Sequence, residues 1–176
     1  LVGNAETFEK RGGVVHVGTG TFHMYGGTLV GQRALSGGAV YINGGTFNME
    51  GGLITGGAAT ASGGNIYLNG GVINISGGIV EKNNAVNAGG IVIQGGASAE
   101  ITGMTIQNNT ASGSGGGIFV NNSTLTVSGG KLAGNRVQKS QGGGLYASGS
   151  EVTISGGTFS GNISQKDGGG MYVRKS

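Results

Sequence analysis

The chain alternates apolar and polar residues in bursts of four or five, and glycine closes each burst. From Gly37 one unit reads GGAVYIN, GGTFNME, GGLITGG and ATAS before Gly-Gly returns. Alternation with period two is the mark of a half-buried strand. A helix would need a 3.6-residue period, and each interior glycine would cost it about 1 kcal/mol. The first glycine of the pair stands at Gly12, Gly37, Gly63, Gly89, Gly115, Gly142 and Gly168, with spacings of 25, 26, 26, 26, 27 and 26 residues. Such a period denotes units that bury their apolar faces only by stacking. Three short strands and three turns per unit predict an all-β fold, a single-stranded parallel β-helix of about six and a half coils.

The alternation also assigns an interior. In the first strand the inward residues are Val15, Val40, Ile66, Val92, Ile118, Leu145 and Met171. Two places on come Val17, Ile42, Leu68, Val120, Ala147 and Val173. Gln94 breaks this second file, and a one-residue shift of Ile91-Val92-Ile93 would repair it. The second strand points in Phe22, Phe47, Ile73, Ala99, Leu125 and Val152, then Met24, Met49, Ile75, Ile101, Val127 and Ile154. The third contributes Leu1, Leu29, Ile54, Val80, Ile106, Leu132 and Phe159. A polar file follows it: Asn4, Gln32, Gly57, Asn83, Asn109, Asn135 and Asn162. Amides stacked one coil apart can bond to each other and to the turn backbone. Asn83, Asn109, Asn135 and Asn162 are therefore assigned as a structural ladder.

Composition sharpens this picture mainly by exclusion. Glycine supplies 44 of 176 residues, and charged residues only 10%, against about 25% in an ordinary domain. Thr, Ser, Asn and backbone must cover the surface. A net charge of +3 is too small for the dense basic face that nucleic acid requires. The absence of cysteine excludes disulfides and thiolate metal sites. No apolar run approaches the ~20 residues of a membrane-spanning helix, so no direct membrane insertion is expected. Both termini fall in mid-repeat, because Leu1-Val2-Gly3-Asn4 matches Leu29-Val30-Gly31-Gln32. Residues 1–176 are thus expected to be one continuous stretch of a longer array, in end-to-end contact with further coils or copies of itself.

GGAV at Gly37–Val40 and Phe159-Ser160-Gly161-Asn162 resemble the GGA[ILV] and FxxN repeats of polymorphic outer-membrane proteins and autotransporter passengers. GGTFNMEGGLITG is similar to repeats in large surface proteins of anaerobic gut bacteria. The resemblance covers nearly the whole chain. It implies a right-handed, pectate-lyase-like helix in a secreted or bacterial cell-surface adhesin that binds host glycans or proteins. Two alternatives stay open: a structural stalk or fibre spacer, and a polysaccharide-active enzyme whose active site lies outside this stretch.

Catalysis on sugars would need paired carboxylates about 5–10 Å apart. The chain has one aspartate, Asp167, and glutamates at 6, 9, 50, 81, 100 and 151. Glu100 and Glu151 fall on the second-strand face, two coils apart and in different columns. No repeat brings two carboxylates together around a base, so no catalytic residue is assigned and the stretch is expected to be non-catalytic. His16 and His23 face outward without convergent partners, so no metal and no cofactor is expected. Arg33, Lys82, Arg136, Lys139 and Lys166 gather near the corner after the third strand, where solvated charges discourage lateral aggregation.

One outward file stands above this background: His16, Tyr41, Tyr67, Ile93, Phe119, Tyr146 and Tyr172. Aromatic pairs one strand apart stabilise a sheet by about 0.2–1 kcal/mol each. Exposed rings also make good recognition surfaces, and Ala39, Asn65, Gly117, Gly144 and Gly170 beside them are small. Tyr41, Tyr67, Phe119, Tyr146 and Tyr172 are accordingly the candidate binding strip, with cross-strand stacking as the competing reading.

Overall fold

The computed structural model of the chain describes residues 11–175. Its strands stack as parallel ladders in four sheets, of seven, six, six and five strands. Successive strands of one sheet come from successive repeats. In the first sheet Val15, Val40, Ile66, Ile91, Ile118, Leu145 and Met171 lie in one register column. The strands are short because each coil must turn at every corner, and the bonds that hold them run between coils. Gly37 N donates to Gly63 O at 2.9 Å, and Ile66 N to Gly90 O at 3.0 Å.

The three strands per unit read from the alternation are all present. A fourth, short strand joins them at Arg33–Ser36, Ala58–Ser62, Asn84–Ala85, Thr110–Ala111 and Arg136–Val137. It follows the asparagine corner and directs Ala34, Ala59, Ala85, Ala111 and Val137 inward, all buried. Side chains this small let the coil close tightly on that side.

Inside, one continuous column of buried Ile, Leu, Val, Met and Phe links every coil. The second- and third-strand files are as the alternation predicts, with the Phe22 and Phe47 rings stacked at 5.3 Å. Leu1 and Asn4 lie outside the described residues.

The first-strand file needs one correction. Ile91 and Ile93 point inward opposite Ile66 and Leu68, while Val92 pairs with Tyr67 and Phe119. The cause is a displaced turn. The corner demands a left-handed backbone, which Gly37 and Gly63 supply at φ 65° and 67°, and a Cβ on Gly37 would lie 2.4 Å from the Val40 carbonyl oxygen. In the fourth coil Ala88 holds that place at φ 45°, so the pair Gly89-Gly90 sits one residue late.

Candidate functional site

The asparagine ladder is a continuous, largely buried chain of side-chain amide bonds. Asn83 Nδ2 donates to Asn109 Oδ1 at 2.8 Å, Asn109 Nδ2 to Asn135 Oδ1 at 3.0 Å, and Asn135 Nδ2 to Asn162 Oδ1 at 3.0 Å. Each of these oxygens also accepts the backbone N–H of the asparagine, or of Gly57, one coil earlier, at 3.0–3.2 Å. Asn109 and Asn135 donate their second N–H to the carbonyls of Val80 and Ile106, and Asn162 donates one N–H to that of Leu132. Two donors given and two lone pairs filled exhaust a primary amide. Asn109 and Asn135 reach that limit and are internal struts with nothing left to offer a ligand, while Asn83 and Asn162 at the ends of the run each donate one N–H.

Asn65 belongs to the ladder although its place in the sequence does not announce it. Gly57 has no side chain at that level, and Asn65 reaches across the same coil from the start of the first strand to donate to Asn83 Oδ1. The signal was the coincidence of a gap at Gly57 with the one asparagine in a file of Ala39, Gly90, Gly117 and Gly144. Its own Oδ1 is buried without a partner.

The aromatic file forms as predicted, with Val92 in the place assigned to Ile93. Tyr41 and Tyr67 stack at 5.3 Å, Phe119 and Tyr146 at 5.2 Å, and Tyr146 and Tyr172 at 5.7 Å. Its openness was overestimated. Tyr41 is only 4% exposed and Tyr146 only 6%, while Tyr67, Phe119 and Tyr172 are half-buried. Ring faces are consumed by the neighbouring rings, and Gly12, Gly63 and Gly142 bring turn backbone close against the tyrosine stems. Arg11 and Arg174 cover Tyr41 and Tyr146 at 5.7 and 5.9 Å. Burial, and then the neighbouring Tyr41, push the Tyr67 phenol above its ordinary pKa. Small neighbours did not keep the strip open; the turns closed over it.

The second sheet presents a different outer face. His23, Asn48, Asn74, Glu100, Thr126 and Thr153 form its central outward column. Asn74 Nδ2 donates to Asn48 Oδ1 at 2.8 Å, and the Asn48 amide meets His23 Nδ1 at 3.4 Å. With Glu50, Ser76 and Thr102 they line an open groove of about 320 Å³.

Glu100 and Glu151 remain apart on separate register columns of this sheet, as predicted, whereas Glu50 and Glu100 line the same groove two coils apart. Glu81 lies on the third sheet, where Gln107 Nε2 donates to it at 2.6 Å and Lys82 approaches to 3.3 Å. The Gln107 hydrogen bond, helped by Lys82, holds the Glu81 pKa below its ordinary value. A general acid needs the opposite shift.

A family model described as "Periplasmic copper-binding protein (NosD)" matches residues 26–175, and the chain belongs to that family. No curated protein and no solved structure matches it. The donor set does not fit copper. Copper sites gather imidazole nitrogens, thiolates or thioethers around one point, and the chain's two histidines are His16 and His23. His16 packs edge-on against Tyr41, whereas His23 stacks on Tyr25 and meets the Asn48 amide. The thioether next to His23, Met24, is buried on the opposite side of its strand. Among the described residues no three His, Cys, Asp or Glu converge.

Proposed function

We propose that this member of the NosD family is a non-catalytic, adhesin-like recognition segment that works outside the cytoplasm, in the cell envelope or beyond it, and binds host glycan or protein. The observation that carries the reading is the outer surface itself. Four parallel ladders fix every outward column at a rise of about 4.8 Å per coil, so the side chains form ranked, pre-ordered faces. Such faces bind extended ligands at low entropic cost. The family's periplasmic description supports an address outside the cytoplasm. Against catalysis stand Glu100 and Glu151 on separate columns and the lowered pKa of Glu81.

The unbroken backbone pairing along the axis also suits a rigid spacer between other domains, and partner binding separates the two. The segment is assayed for attachment to host cells and to a glycan array, beside a turnover screen on pectins, alginates and mucin glycans. Saturable attachment without product release is expected. Release of sugar that ceases on substitution of Glu100, Glu151 or Asp167 would make it an enzyme, and attachment to nothing would leave the spacer.

A further inference from the structure

Among the described residues, the tyrosine or phenylalanine most open to solvent is not in the aromatic file. Tyr25 is 69% exposed and stands beside the second-sheet groove, against its lining residue His23, with the two rings parallel at 5.8 Å and their planes 10° apart. One face of the Tyr25 ring is held by the imidazole, which fixes a flat platform. His23 heads the neighbouring column, in which Asn48, Asn74 and Glu100 follow coil by coil along the axis, and Glu50 follows Tyr25 in its own column. Ranked amides, carboxylates and hydroxyls thus continue from a flat apolar surface over about three coil steps, roughly 14 Å.

We infer that this groove is a saccharide site, taking a short neutral oligosaccharide along the helix axis with one sugar ring on Tyr25; the inference rests on the recognition reading above and assigns its contact surface. The chemistry is complementary at both ends. The C–H face of a pyranose packs on an aromatic ring, and its hydroxyls donate to carboxylate and amide oxygens while accepting from amide N–H. Asn74 lines the groove and gives one N–H to Asn48, so its Oδ1 and second N–H are left for a sugar hydroxyl. Hydrogen bonds to carboxylates are the stronger kind, so Glu50 and Glu100 anchor the hydroxyls. No Lys or Arg lines the groove, so uronate or sialyl sugars meet like charge. Neutral chains are selected over acidic ones.

The test is calorimetric titration with neutral cello-, xylo- and chito-oligosaccharides, with oligogalacturonate as the acidic control and tetralysine as the cationic one. Tyr25→Ser and Glu100→Gln lie at exposed positions, and unchanged melting confirms that both fold. A neutral oligosaccharide is expected to bind at least tenfold tighter than the acidic one. Tyr25→Ser should weaken it tenfold or more, and Glu100→Gln at least threefold. Sugar binding that both variants leave intact overturns the site while leaving the recognition reading standing. Preferential binding of tetralysine overturns it in favour of a basic peptide. If no sugar binds, the site falls, and host-cell attachment by the same preparation decides separately whether the recognition reading falls too.

Discussion

Asn109→Ala isolates what a buried strut contributes, because the same chain carries an exposed amide pair as its control. The Asn109 side chain accepts the backbone N–H and the Nδ2 of Asn83 and donates to the Val80 carbonyl and Asn135 Oδ1. Truncation strands two buried N–H groups, the backbone and the side-chain donors of Asn83. A buried polar group left without a partner costs about 1–3 kcal/mol. Two of them, with no room for compensation, put the loss at about 3–5 kcal/mol. For a chain of this size that corresponds to a melting temperature lower by roughly 6–20 °C. Asn74→Ala removes a bond of the same length, 2.8 Å to Asn48, but on a solvated face, where water replaces it; about 0.5 kcal/mol or less is expected. Denaturant midpoints give the global loss, and amide exchange at Asn83 gives the local one. Equal losses at the two positions, or an Asn83 amide that exchanges no faster in Asn109→Ala, would refute the argument that burial gives the ladder its strength.

Asn65→Ala should cost far less than Asn109→Ala although both are fully buried, since Asn65 makes one ladder bond and strands its own Oδ1; denaturant melts compare them directly. Ala88→Gly should stabilise by about 0.5–1 kcal/mol, because it removes a left-handed alanine while its added chain entropy offsets part of the gain; an unchanged or lower midpoint would count against the strained corner. Glu81 has a folded pKa below its ordinary 4.5, so its contribution is present above that value and is lost as pH falls through the folded pKa. Gln107→Leu should flatten that acid limb in a pH series of melts. Tyr67 has a folded pKa above 10.0, so stability should fall as pH rises past 10.0, and Tyr67→Phe should remove that alkaline loss.

The repeat made most of the fold legible because a stacked coil repeats its constraints. Inward residues must be apolar, corners must turn left-handed, and a buried amide must meet another amide one coil away. Where a constraint was met by an unexpected residue, reading from the sequence slipped. Ala88 takes a glycine's backbone, so aligning glycine pairs misplaced Ile91, Val92 and Ile93 by one. The fourth strand escaped because two to five residues around a small alanine show little alternation, although Ala34, Ala59, Ala85 and Ala111 keep the repeat period. Asn65 compensates for Gly57 through space, by bonding to Asn83, 18 residues away along the chain. The outward faces were the hardest to read. Alternation shows that a tyrosine leaves the core, but how far neighbouring turns and rings then cover it depends on the curvature of the corners. Tyr41 and Tyr146 are thus covered although alternation turns them outward, while Tyr25, just past the end of its strand, is open.

The central claim is recognition without catalysis, and it is tested most directly by recovering the ligand after binding. Immobilised protein is incubated with the glycan it retains best, and the eluted sugar is analysed by chromatography and mass spectrometry. The account predicts saturable retention and a sugar recovered with unchanged chain length and reducing ends. Shortened or unsaturated products from the wild-type protein, lost in Glu100→Gln or Glu151→Gln, would contradict it.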